Sequence, residues 1–163
     1  MANAGQPIVY LTFSNKSKRH AHEIFKLCEE LEDSLYFSVK CDTFNYNALQ
    51  NPELINFNGW RDQIYEKARW IFFRISPEYS NTLKAGEGNI PMAQINEHDQ
   101  GIIYIHNVAK AEFRQNSIRD HRLIPLLFTK TNASVHDIPP FLRSSPYFWF
   151  PEQKKDLFNF LRT

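Results

Sequence analysis

The chain contains 163 residues, which is enough for one domain around a single hydrophobic core. Hydrophobic residues account for 42% of the chain and charged residues for 23%, a composition typical of globular proteins and unlike that of disordered or fibrous ones. The formal net charge of +1 argues against nucleic acid or an anionic membrane as the main partner.

The first part of the chain predicts strands separated by a helix. The β-branched and aromatic run Ile8–Phe13 indicates a buried strand, and Leu35–Val39 indicates a second one. Between them, four apolar residues recur at the spacing of one helix face: Ile24, Leu27, Cys28 and Leu31. The Asn-rich, aperiodic segment Phe44–Phe57 is interpreted as a loop.

The middle of the chain continues this alternation and then loses it. A short amphipathic helix is predicted from the spacing of Trp60, Ile64 and Ala68. The strand Trp70–Ile75 follows, and Pro77 ends it. The next stretch, Ser80–Gln100, has no clear periodicity and is long for a passive connection, so it is a candidate functional segment.

The last part of the chain returns to regular patterns. Another helix face is predicted from Ile102, Ile105, Ala109 and Phe113. The run Leu123–Phe128 indicates a buried strand, although Pro125 inside it is more usual in an edge strand. A short strand, Tyr147–Phe150, precedes a final helix that Pro151 opens and that ends at Leu161.

This order predicts one doubly wound α/β domain, a parallel sheet with helices on both faces, because continuous apolar strands suit a sheet buried on both sides. The apolar runs are far shorter than the ~20 residues that cross a bilayer. Residues 1–6 carry no signal-peptide pattern, and we expect a flexible extension of a cytoplasmic protein there. Cys28 and Cys41 are expected to be reduced thiols.

Motifs of enzyme chemistry are weak. Gly86-Glu87-Gly88 follows no strand directly and leads into no phosphate-binding pattern, and no serine nucleophile elbow exists. The six histidines lack ligand-type spacing, so we expect neither a metal site nor a cofactor. The basic run Lys16–His20 is more typical of a solvated helix start than of a phosphate contact. Nucleic-acid binding, through this run or through later basic residues, fits poorly with the near-neutral net charge of the chain. The later basic residues are Lys110, Arg114, Arg119 and Arg122.

The acid that warrants attention is Glu112, which flanks the apolar face of the helix predicted from Ile102 to Phe113. A carboxylate in such a place is usually half-buried and paired with a neighbouring base. Lys110 and Arg114 are the candidates for that base.

Taken together, the motifs resemble the SEFIR domain, a relative of the TIR domain. The first block is Val9–Ser14, and the second runs from Gly59-Trp60 through Ile64 and Ala68 to the SPxY ending Ser76–Tyr79. The C-terminal half is most similar to CIKS-type adaptors of interleukin-17 receptor signalling. The residues that carry this similarity are Tyr104–His106, Glu112-Phe113, Arg122–Phe128, Ile138-Pro139 and Trp149.

The resemblance implies a single SEFIR domain over residues 7–162, with a flavodoxin-like sheet of about five strands. It implies a cytoplasmic adaptor that binds interleukin-17 receptor SEFIR domains by homotypic association and activates NF-kappa-B, and that also forms a weak homodimer. Family ligase and TRAF-binding parts would lie outside this chain. The binding region implied by the family is Ser80–Gln100 with Gly101–Asn116, where the unpatterned stretch falls.

Within that region we predict a modest interface of apolar anchors and selective charges. The predicted contacts are Tyr79, Ile90, Met92, Ile95 and Tyr104 as anchors, Glu87, Glu97 and Asp99 as acids, and His106, Lys110 and Arg114 beside them. The alternative is that the apolar residues only pin the segment to the domain.

A different function class remains open. Some TIR domains cleave NAD with a glutamate on the helix after the third strand, and Glu112 occupies a similar place in the predicted topology. A carboxylate there would stabilise the positive charge that develops as nicotinamide leaves.

Overall fold

A computed structural model describes residues 5–14, 18–41, 57–88, 91, 94–95, 97–116 and 122–162. Five strands form one parallel sheet: β1 (Ile8–Thr12), β2 (Ser38–Lys40), β3 (Ala68–Ile75), β4 (Leu123–Phe128) and β5 (Phe148–Phe150). The described helices are α1 (Lys18–Leu35), α2 (Phe57–Lys67), α3 (Pro77–Glu87), α4 (Glu97–Asn116) and α5 (Lys154–Leu161). Three 3-10 turns lie between β4 and β5, at Thr129–Thr131, Val135–Asp137 and Pro140–Leu142.

The sheet has the order β2-β1-β3-β4-β5, which is the flavodoxin-like order. This confirms the predicted fold class. The short strands β2 and β5 form the two edges, and the longest strand, β3, lies at the centre. No helix among the described residues is long and apolar enough to cross a membrane.

Each face of the sheet supports its own hydrophobic core, because successive side chains of a strand point to opposite faces. On one face, Trp70 and Phe72 of β3 pack in a cluster with residues of α1 and α5. On the other face, Ile71 and Phe73 join a cluster with residues of α2, α3 and α4. The sequence pattern of continuous apolar strands reflects this double burial.

The predicted helix face of α1 is confirmed, since Ile24, Leu27, Cys28 and Leu31 are all buried. Neither cysteine forms a disulfide, both are buried in the core, and burial raises the pKa of Cys28. A thiol in such surroundings is chemically inert.

Several element boundaries differ from the prediction. Leu35 ends α1 and does not begin a strand, and Ala68 begins β3 directly after α2. Pro125 lies in an interior strand, but the pairing of β4 with β5 begins only at Leu126, so no β5 residue stands opposite the proline. α5 begins at Lys154, after a turn that contains Pro151.

The largest correction concerns the stretch predicted to lack regular structure, because its first part is the helix α3. Ser76 caps the helix: its side-chain oxygen accepts a hydrogen bond from the Tyr79 N–H at 3.1 Å, and Pro77 occupies the first helical turn. Only Tyr79 and Thr82 of this helix are buried, so the helix has no apolar stripe for periodicity to detect.

Candidate functional site

The predicted binding region is a pair of packed helices, α3 and α4. The helices approach closely at Gly86, where an added Cβ would lie 2.8 Å from Cδ1 of Ile103. α4 is anchored to the sheet by buried apolar residues, among them Ile102, Ile105 and Ala109. The opposite side of α4 therefore faces solvent, on a helix that is fixed to the sheet.

The outer side of α4 is accessible over several turns. Asn107, Ala111 and Arg114 are exposed, and Tyr104 and Lys110 are half-buried. We call these five residues the α4 face. The Tyr104 hydroxyl donates a hydrogen bond of 2.6 Å to Asp62 of α2, and this bond raises the pKa of the tyrosine. The bond fixes the aromatic ring at the boundary between the two helices.

Three residues predicted to contact a partner lie in the interior, so the prediction of surface contacts is wrong for them. Tyr79 is 0% exposed, and Asp99 and His106 are also buried. The aromatic character of Tyr79 reflects core packing, the alternative considered for the apolar residues of this segment. Burial and the positive charge of Lys110 lower the pKa of His106, whose ring packs edge-on against Phe141 with centroids 5.3 Å apart.

The remaining predicted contacts fall into two groups. Glu87 is exposed at the end of α3, while Ile95 is half-buried and its carbonyl oxygen accepts a hydrogen bond from Gln100 at 2.6 Å. Ile90, Met92 and the side chain of Glu97 lie outside the described residues.

Glu112 is held in a polar network whose partner differs from the prediction. Its carboxylate pairs with the Arg122 guanidinium and accepts a hydrogen bond from the Tyr65 hydroxyl, whereas Lys110 and Arg114 were the predicted bases. Arg122 also donates to the carbonyl oxygens of Tyr65 and Ala68, both at 2.8 Å. Its guanidinium carbon lies 4.6 Å from the centre of the Tyr65 ring.

This network lies at the amino edge of the sheet, because Arg122 directly precedes β4 and Ala68 opens β3. Ligands of open parallel sheets bind outside the carboxyl ends of the strands. Glu112 is therefore on the side of the sheet opposite to the usual ligand crevice, where its carboxylate bonds Arg122 and Tyr65.

At the carboxyl edge, the crevice of this topology falls between β1 and β3. There the first turn of α4 meets the end of β1, since Nε2 of His98 lies 2.6 Å from the carbonyl oxygen of Phe13, which accepts the hydrogen bond. Among the described residues, no group of three or more His, Cys, Asp or Glu side chains is arranged to hold a metal ion.

Arg74 is a buried residue of this edge that was not among the predicted site residues. It is 2% exposed and lies over the Phe128 ring at 5.1 Å, and burial lowers its pKa to about 10 despite the charges of Glu78 and Glu23. A guanidinium within the buried, otherwise apolar run Trp70–Ile75 was a visible signal in the sequence.

A five-stranded parallel sheet of this order, with α4 resting on the central strands, places the protein in the TIR-like class of α/β domains. A family model of the SEFIR domain matches residues 7–161, and the chain belongs to the SEFIR family. It is similar in structure to a prokaryotic SEFIR domain known from a crystal structure, with a TM-score of 0.60 and 14% sequence identity over 96% of each chain. No protein of curated function matches the chain.

Proposed function

We propose that the protein is a signalling adaptor module that binds other SEFIR domains by homotypic association, with the α4 face as its contact surface. Membership of the SEFIR family supports this proposal. The observation that carries it is the α4 face itself, an accessible helix side on a rigid core that combines the aromatic ring of Tyr104 with the cations Lys110 and Arg114.

The proposed partners are SEFIR domains of interleukin-17 receptors, and the proposed output is activation of NF-kappa-B. The resemblance of the C-terminal half to CIKS-type adaptors supports this choice. Cations on the α4 face would select a partner surface with exposed carboxylates and reject one with exposed bases.

The test is a titration of the protein against the cytoplasmic SEFIR domain of an interleukin-17 receptor, with an unrelated TIR domain as the negative control. We expect saturable binding to the SEFIR domain alone. The variant Lys110→Glu/Arg114→Glu should weaken that binding by about tenfold or more, since charge reversal converts attraction into repulsion.

A control with the same change in charge is Lys155→Glu/Arg162→Glu, which alters exposed residues at α5 on the opposite face of the sheet. It should bind as the wild type does. Equal binding by both variants, with the fold intact by circular dichroism, would overturn the assignment of the α4 face. Absence of binding by the wild-type protein would overturn the proposed function.

A further inference from the structure

Tyr36, the residue directly after α1, has a backbone conformation that is unfavourable for tyrosine. Tyr36 has φ of 58°, in the left-handed region where glycine or asparagine is usual after a helix. The neighbouring backbone holds this turn: Phe37 N–H donates to the Leu31 carbonyl at 3.2 Å, and Ser38 N–H donates to the Pro7 carbonyl at 2.8 Å. The side chain of Tyr36 is nevertheless 70% exposed, so no burial in the core compensates for the conformation.

The acidic residues near the same end of α1 also destabilise the helix. Glu29, Glu32 and Asp33 are exposed in the last two turns, and the last turn contains no basic residue. The carboxyl end of a helix carries a partial negative charge, so acidic residues there are repelled and basic ones are favoured.

Exposed aromatic and acidic residues lie along one line of the α1 surface. Phe25, Glu29 and Glu32 follow the i, i+4, i+7 spacing, and Tyr36 is the first residue after the end of the helix. Phe25 is 37% exposed. We call these four residues the α1 stripe. Local rules broken together at one place, as the conformation of Tyr36 and the acidic residues at the end of α1 break them, are expected where a residue serves an external contact.

We infer that the α1 stripe docks on the α4 face of a second copy of this chain, an inference that rests on the proposed homotypic function. The carboxylates of Glu29 and Glu32 complement the cations Lys110 and Arg114, and Tyr36 supplies the aromatic anchor. α1 and α4 lie on opposite faces of the sheet, so the two surfaces cannot meet within one copy.

Two different surfaces that bind each other form a heterologous contact, and such contacts generate rings or open chains of molecules. Because the two surfaces lie on opposite faces of one domain, successive copies stack in the same direction. The protein therefore propagates its association along a line of copies, and each added copy leaves one α1 stripe and one α4 face free.

The first test is Tyr36→Gly, measured as thermal stability and as self-association by sedimentation velocity. Glycine relieves the left-handed conformation, so we expect the Tm of the domain to rise by about 2 °C. Loss of the anchor should weaken self-association by about tenfold. A fall in Tm would show that Tyr36 serves the fold, and unchanged association would show that it makes no contact; either result overturns the inference.

The second test mixes two charge-reversed proteins, one with Glu29→Lys/Glu32→Lys and one with Lys110→Glu/Arg114→Glu. Each protein alone should lose self-association, because its two surfaces then carry charges of the same sign. An equimolar mixture should recover association, because the two reversed surfaces complement each other and the two unchanged surfaces do so as well. Asp156→Lys, an exposed position on α5, is the control and should associate as the wild type does.

The outcomes separate this inference from the proposed function. The role of the α1 stripe alone is overturned if the wild-type protein binds a receptor SEFIR domain while the Glu29→Lys/Glu32→Lys variant self-associates normally. It is also overturned if the mixture of the two variants does not recover self-association. Wild-type protein that neither self-associates nor binds any SEFIR domain overturns both.

Discussion

The side chain of Arg122 joins three elements at the amino edge of the sheet, α2, β3 and α4. Its guanidinium reaches Glu112 of α4 and the carbonyl oxygens of Tyr65 and Ala68, at the junction of α2 and β3. A lysine provides one ammonium group and no planar fork, so it cannot reproduce this set of bonds. We expect Arg122→Lys to lower the free energy of unfolding by about 2 kcal/mol, measured by urea denaturation.

Arg114, an exposed arginine on α4, provides the comparison. Arg114→Lys should change the unfolding free energy by less than about 0.5 kcal/mol, as is usual for exposed sites. Equal losses in the two variants would mean that the polar network does not stabilise the domain.

We expect stability to depend on pH through His106, because burial and the positive charge of Lys110 lower its pKa, although the charge of Glu87 acts in the opposite direction. Below the ordinary histidine pKa of about 6.5, the unfolded chain takes up a proton that the native ring resists. Stability should therefore fall as pH drops from 7.5 to 5.5. The variant His106→Phe, which keeps an aromatic ring against Phe141, should show a smaller fall in denaturation curves at the two pH values.

His22 is exposed on α1 and serves as the control. His22→Gln should leave the pH dependence of stability as it is in the wild type. If His106→Phe retained the full dependence, protonation of this ring would not be its source.

Among the elements, the contact of α3 with α4 depends on the absence of a side chain at Gly86. An alanine Cβ would lie 2.8 Å from Cδ1 and 2.9 Å from Cγ1 of Ile103, a buried, β-branched residue with little room to move. Overpacking costs about 1–3 kcal/mol, and alanine gains about 1 kcal/mol of helix propensity over glycine. We expect Gly86→Ala to lower the unfolding free energy by about 1 kcal/mol.

Two further variants show whether the clash is responsible. Gly88→Ala places its Cβ no closer than 3.6 Å to another atom and should be tolerated. In the Ile103→Ala background, where the obstructing atoms are removed, Gly86→Ala should become stabilising. Additive free energies across this cycle would show that the two residues are not coupled.

Elements with a strong apolar pattern were predictable from the sequence, and those without one were not. α1 and β3 bury one helix face and both strand faces, so their periodicity is visible. α3 buries only Tyr79 and Thr82 and is held by the Ser76 cap and the close approach at Gly86. Cap geometry and helix–helix distance are tertiary facts that periodicity does not contain.

For the whole molecule, the sequence predicted the fold and the SEFIR family, but it could not decide which side chains of the binding region face solvent. From residue type alone, Tyr79 and Tyr104 are equally plausible anchors, yet Tyr79 is in the core and Tyr104 is half-buried at the surface. The position of Glu112 at the amino edge likewise depends on how α4 runs across the sheet. Distances between segments remote in sequence set these outcomes.

The two edge strands of the sheet, β2 and β5, are each three residues long. An exposed edge is a template for pairing with a strand of another molecule, and shortness is one way in which proteins suppress this. In the proposed homotypic association, many copies would meet at high local concentration. Copies joined through helix surfaces would separate again when that concentration falls, whereas strand-paired copies would tend toward aggregates that do not dissolve. Short edge strands would thus keep the association reversible.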